Sequence, residues 1–212
     1  MDAYVYDFAQ LIHALDLTDV TIVAHSLGGN VATQFSGLYP DIVRKLVNIE
    51  GLSTAPDASS QTPLRGSPER LREWIADKRK AAGRTPKRYD SLQAAYARMK
   101  DENSFLSDDQ VRHLTIHGAN RNEDGTWSWK FDNYLNVWSG GDLPLGQLEQ
   151  LWGAITCPIL MLWGKDSWAT SPGSDGRIDY FQNATLIEYE EAGHWLHHDQ
   201  TERFVADLKA FL

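Results

Sequence analysis

Val20-Thr21-Ile22-Val23-Ala24-His25-Ser26-Leu27-Gly28-Gly29 is the stretch on which the reading of this chain turns. Its first five residues are β-branched or apolar, with a single hydroxyl. A short run of that kind reads as a strand buried on both faces, as in parallel sheets. The next apolar positions extend as a helix to Tyr39 and stop at Pro40. Ser26 therefore stands in a sharp strand-to-helix turn. Such a turn is a nucleophile elbow, with small residues needed two before and two after the serine. Ala24 and Gly28 fill those positions. The positive end of the following helix faces the turn, and the Leu27 backbone N–H is placed to donate to a developing oxyanion.

Outward from this turn, the chain alternates strand and helix at both ends. Val5, Phe8, Leu11, Ile12 and Leu15 share one face of an N-terminal helix that has Asp2 as its expected N-cap and ends near Leu17. Lys45–Glu50 is a second strand. Pro158–Trp163 and Ala184–Tyr189 are two more, and Glu202–Leu212 closes the chain as a helix, with Asp199 as its expected N-cap. The fold class expected is α/β with a mostly parallel sheet.

Between Gly51 and Ile155 no β-rich run appears, and four of the eight prolines fall between Pro56 and Pro86. Amphipathic pieces occupy this region: Pro68–Ala82, Tyr89–Lys100, Asp108–Ile116 and Lys130–Trp138. The expectation is a helical insertion over 52–145, splitting a core made of 1–51 and 146–212. Residues 65–100, starting at Arg65, hold 11 of the 20 basic residues against four acidic ones. That patch is either a solvated helix face or a means of steering anionic substrates. Trp127, Trp129, Phe131, Tyr134 and Trp138 either line a pocket or form the insertion's own core.

Two further residues complete a chemical set. A serine nucleophile needs a base, and the base needs a carboxylate to orient it. The order serine, acid, histidine is met by Ser26, Asp166 and His194, each just past a strand. His194 would take the Ser26 proton, and Asp166 would hold the imidazole in the right tautomer.

These residues resemble those of the α/β-hydrolase superfamily. Ala24–Asn30 is similar to its elbow, Ile159–Trp168 to its acid-bearing strand and loop, and Gly193–Gln200 to its histidine loop. The insertion resembles the helical cap of that family. The resemblance implies cofactor-free hydrolysis of an ester or related acyl compound through an acyl-serine intermediate. Carbon–carbon bond hydrolysis and perhydrolysis on the same triad are alternatives. Glu50 is the alternative acid, at a position where some members of the superfamily keep their carboxylate. Asp166 is preferred because Gly-x-Asp ahead of an aromatic is the commoner arrangement there.

The resemblance also implies strands before the elbow, and 25 residues precede Ser26. The expectation is therefore a partial core. Its first strand has an open edge prone to self-association, and the oxyanion hole is half built. A catalytically impaired truncated fragment or a ligand-binding remnant is the non-enzymatic alternative.

Composition bounds the rest. The 212 residues are 42% hydrophobic and 23% charged, with a formal net charge of -9. An acidic chain is a poor partner for nucleic acid, and no apolar run approaches a membrane span. Cys157 is the sole cysteine, so an intrachain disulfide is excluded. His194, His197 and His198 lack the partner pattern of a metal site. No charged-then-apolar leader precedes the first helix. The expected setting is cytoplasmic, with a small acyl substrate, no cofactor, no metal, no nucleic acid and no membrane partner.

Overall fold

The computed structural model describes residues 1–52, 67–137 and 143–212. Arg65 and Trp138 lie outside the described residues. The chain divides into two compact units, Met1–Thr62 with Asp142–Leu212, and Pro63–Gly141.

The first unit is built on a four-stranded parallel sheet in the order β1-β2-β5-β6, with β1 at Val20–His25, β2 at Val43–Ile49, β5 at Ile159–Gly164 and β6 at Ala184–Tyr189. Its helices are α1 (Asp2–Ala14), α2 (Leu27–Leu38), α6 (Leu145–Gly153), the single turn α7 (Leu196–Asp199) and α8 (Thr201–Phe211). Alternation along the strands sends side chains to two apolar layers. Leu46, Ile159, Met161 and Trp163 pack with Ile12, Phe35, Leu148 and Trp152 from α1, α2 and α6. Val47, Ile49, Leu160 and Leu162 face the other way, onto Leu196, Phe204, Leu208 and Phe211. The unit is thus a helix–sheet–helix sandwich, the α/β class that the strand–helix alternation implies.

β5 is buried along its whole length, as a central parallel strand should be. β1 is not. Ile22 is buried but Val23 is 46% exposed, because among the described residues β1 pairs only with β2. The expectation of burial on both faces fails there for want of a covering layer. Similarly, α1 buries Val5 and Ile12 but leaves Leu11 and Leu15 exposed. Asp2 is its first residue rather than its N-cap.

The second unit holds α3 (Pro68–Ala82), α4 (Leu92–Glu102) and α5 (Asp108–Gly118). Each begins at a serine whose hydroxyl accepts a backbone N–H: Ser67, Ser91 and Ser107. Ser107 and Gln110 form a reciprocal capping box. Helix is not the whole of it. Ala119–Arg121 (β3) and Trp127–Trp129 (β4) form an antiparallel hairpin, and Asn133–Asn136 is a 3-10 turn where a helix over Lys130–Trp138 was expected. Each strand of the hairpin is three residues long, too short for a long apolar run, and its turn is set by Gly125 at φ 86. Trp129 serves the unit itself, its indole N–H donating to the Tyr89 hydroxyl at 3.2 Å. Phe131 and Tyr134 are exposed.

Candidate active site

The site gathers at the C-terminal ends of β1, β2, β5 and β6, and the sheet ladder places each contributor. Beyond β1, the Ser26 N–H donates to Ile49 O at 2.8 Å. Beyond β2, the Glu50 N–H donates to Leu162 O at 3.1 Å. Beyond β5, the Lys165 N–H donates to Tyr189 O at 2.9 Å. Each strand therefore hands its next residue to its neighbour in register, so that residues far apart in sequence meet at one edge. This is the end of an α/β sheet at which ligands bind.

Ser26 has φ 54 and ψ -119. A non-glycine residue in that region is strained, on the order of 1–3 kcal/mol, and the strain lifts its side chain clear of the sheet. The turn is held by Gly29 and Gly51 rather than by Gly28. A Cβ on Gly28 would meet nothing closer than the Ala24 Cβ at 3.9 Å, whereas one on Gly29 would fall 2.7 Å from the Gly51 Cα. Asn48 fixes this approach. It is a buried polar residue within the apolar run of β2, and it accepts from the Gly51 N–H at 2.8 Å while donating to the Thr33 hydroxyl at 2.8 Å. Leu27 opens α2, and its N–H is one of the helix's first four amides, which lack an intrahelical acceptor.

His194 bridges two partners. Its Nε2 lies 2.8 Å from the Ser26 Oγ and its Nδ1 lies 2.6 Å from the Glu50 Oε2. The geometry thus brings Glu50, not Asp166, to the imidazole. Asp166 is exposed in the turn after β5, where its N–H donates to Ala192 O at 3.0 Å. Its carboxylate makes no hydrogen bond or ion pair with any described residue. The preference for Asp166 fails because Glu50 already fills the space behind Nδ1.

The Glu50 side chain is fully buried and takes three donors: the Gly164 N–H at 2.6 Å on Oε1, and the Ser167 hydroxyl and His194 Nδ1–H, each at 2.6 Å, on Oε2. A buried carboxylate is tolerable only when so satisfied. Gly164 also sits under the histidine loop, where a Cβ would come 2.4 Å from the carbonyl oxygens of Ala192 and Gly193.

The histidine loop has its own supports. The Asp199 carboxylate accepts the Gly193 N–H at 2.9 Å, so Asp199 ties this loop instead of capping α8, whose N-cap is Gln200. The His25 Nε2 lies 2.8 Å from the His194 carbonyl, and its ring stands 4.7 Å from those of His194 and His197. Burial pushes the His25 pKa down, and burial with neighbouring histidines pushes that of His197 down to about 3. Both rings are therefore neutral near pH 7. Trp168 lies against His194, with ring centroids 4.8 Å apart, and is 74% exposed. Among the described residues, no group of three or more His, Cys, Asp or Glu is arranged to hold a metal ion. No helix among them is long and apolar enough to cross a membrane.

Asn48, Ser167 and His25 were not expected at this site. Asn48 carried one signal, a carboxamide inside an otherwise apolar run. Ser167 and His25 carried none, because their partners lie more than 100 residues away.

A serine, a histidine and a carboxylate thus stand in hydrogen-bonded series, and the chain is similar to proteins of known name. It is 27% identical over 219 aligned positions to a "Serine hydrolase-like protein" of Danio rerio, covering 99% of this chain and 65% of that one. It is 26% identical over 211 positions to an "sn-1-specific diacylglycerol lipase ABHD11" of Xenopus laevis, covering 97% and 62%. The chain thus spans somewhat under two thirds of the length of these curated relatives. A crystal structure of a hypothetical protein from Pseudomonas aeruginosa PAO1 superposes with a TM-score of 0.77 at 19% identity, over 98% of this chain and 73% of that one, and so shares the fold. The family model of the alpha/beta hydrolase fold matches residues 1–201, and the chain belongs to that family.

Proposed function

We propose that this chain carries the catalytic centre of a serine hydrolase that cleaves an ester or related acyl compound through an acyl-serine intermediate. The observation that carries this reading is the unbroken series from the Ser26 Oγ through both nitrogens of His194 to the Glu50 carboxylate. In it, Ser26 is the nucleophile, His194 the general base and acid, and Glu50 the orienting carboxylate.

The Ser26 Oγ attacks the acyl carbon while its proton passes to the His194 Nε2. The carbonyl π pair moves to oxygen, and the Leu27 N–H donates to that oxyanion. Glu50 keeps the Nδ1 proton in place and stabilises the imidazolium that forms. Collapse expels the alcohol or thiol, which leaves with the proton from Nε2. Water then attacks the acyl-serine with His194 again as base, releasing the acid and restoring Ser26. The small acyl substrate follows from this chemistry and needs no cofactor. The names of the relatives agree with hydrolysis at an acyl centre.

A fluorophosphonate tests the reading. It should label the wild-type chain covalently, and Ser26→Ala should abolish the label while melting as the wild type does. Release of p-nitrophenol from a short-chain p-nitrophenyl ester should depend on the same residue. Full labelling of the alanine variant would overturn the assignment.

A further inference from the structure

We propose that Ser167 is a positioning residue that aims the Glu50 carboxylate at His194. This inference deepens the serine-hydrolase reading and rests on it.

The Glu50 carboxylate comes from the end of β2, but most of what holds it comes from the exit of β5. Gly164 donates its N–H to Oε1, and Ser167, three residues on, donates its hydroxyl to Oε2, the oxygen that also receives the His194 Nδ1–H. A carboxylate rotates readily about its terminal torsion, which is broad and roughly two-fold. One donor on each oxygen, from one short loop, removes that freedom. The Nδ1–H then finds Oε2 already in plane and in reach.

The loop is built to do this. The Lys165 N–H donates to Tyr189 O at 2.9 Å, the Asp166 N–H to Ala192 O at 3.0 Å, and the Ser167 N–H to Gly164 O at 3.2 Å. The Trp163 indole N–H reaches forward to Ala169 O at 2.8 Å and closes the loop over the strand end. The Ser167 Oγ itself accepts from the Ala169 N–H at 3.1 Å. With that lone pair engaged, its one proton is directed to Glu50. A hydroxyl held on both sides is a fixed donor, and a donor to a buried charged acceptor is stronger than a neutral pair.

Ser167 touches Glu50 and no reacting atom. Its loss should therefore loosen the orientation of His194 and leave substrate contacts as they are.

The test compares Ser167→Ala and Ser167→Thr with the wild-type chain, with urea melts to show that each folds. On a p-nitrophenyl ester, Ser167→Ala should lower kcat on the order of 10-fold with KM little changed, the mark of a lost transition-state alignment. By proton NMR, the His194 Nδ1–H resonance, assigned by its loss in His194→Gln, should move upfield in Ser167→Ala as its hydrogen bond to the Glu50 Oε2 loosens. Ser167→Thr, which keeps the hydroxyl, should restore both kcat and the resonance. An unmoved or downfield-shifted resonance in Ser167→Ala would overturn the proposal, as would a resonance displaced equally in Ser167→Thr. The resonance is read without turnover. A wild-type chain that resists fluorophosphonate yet shows the displacement and its rescue would end the hydrolase reading while leaving the hold of Ser167 on Glu50 in place.

Discussion

Gly29 and Gly51 meet with no room for a methyl group between them: a Cβ on Gly51 would fall 2.4 Å from the Gly29 Cα and 2.7 Å from the Ser26 carbonyl oxygen. The first turn of α2 is thereby pressed against the exit of β2, and Ser26 is brought beside Glu50 and His194. The strained backbone of Ser26 persists because this contact, the Ile49 O bond and the Asn48 side chain over-determine it.

Either Gly29→Ala or Gly51→Ala should therefore destabilise the chain by about 1–3 kcal/mol, the usual cost of overpacking, and reduce fluorophosphonate labelling of Ser26. Gly28→Ala should be neutral or slightly stabilising, since the site is helical and open. Urea melts of the three variants give the ranking. Equal losses would mean that the elbow is not held where the two glycines meet.

Glu50→Gln should lower kcat by up to about 10⁴-fold, because the amide favours the wrong imidazole tautomer. Asp166→Asn should leave kcat near that of the wild type, its carboxylate being exposed and clear of His194. Steady-state kinetics on one ester decides it, and the reverse ranking would return the acid to the β5 loop.

Stability should fall on acidification, with His197 as a main contributor. Its folded-state pKa of about 3 lies below the ordinary value of 6.5, chiefly through burial. Between those values the unfolded chain binds a proton that the folded chain excludes. Stability therefore rises with pH across that window and is level above it. His25 is shifted in the same direction for the same first cause. Urea midpoints measured from about pH 7 down to about pH 4 should fall less steeply in His197→Gln than in the wild type. Parallel curves would place the acid sensitivity elsewhere.

The 212-residue chain should self-associate, because β1 has a single hydrogen-bonded neighbour among the described residues and Val23 stands 46% exposed on it. A strand edge of this kind pairs with other chains unless charge blunts it. Val23→Lys should move the sedimentation profile toward monomer at equal protein concentration. A monomeric wild type would show that the edge is already protected.

Much of the fold was legible in local sequence. The apolar runs of β2, interrupted by Asn48, and of β5 read as strands of a parallel sheet, and the amphipathic spans Pro68–Ala82 and Asp108–Ile116 fall on α3 and α5. The Trp127–Trp129 hairpin was not legible. Three-residue strands carry too little periodicity, and their pairing depends on partners such as Tyr89, whose N–H and carbonyl both bond Trp127.

At the site, the meeting of Ser26 with His194 was legible because the signals for it are local: a strand, a turn with small neighbours, and a histidine loop past the last strand. The carboxylate that meets His194 was not. Glu50 and Asp166 each follow a buried strand, and the local pattern around Asp166 favoured the residue that does not reach the imidazole. The choice is made where the ends of β2, β5 and β6 meet, by the Gly164 amide, the Ser167 hydroxyl and the His194 ring converging on one carboxylate. Burying a charge requires several donors at once, and only the folded chain brings donors from three strands to the same two oxygen atoms.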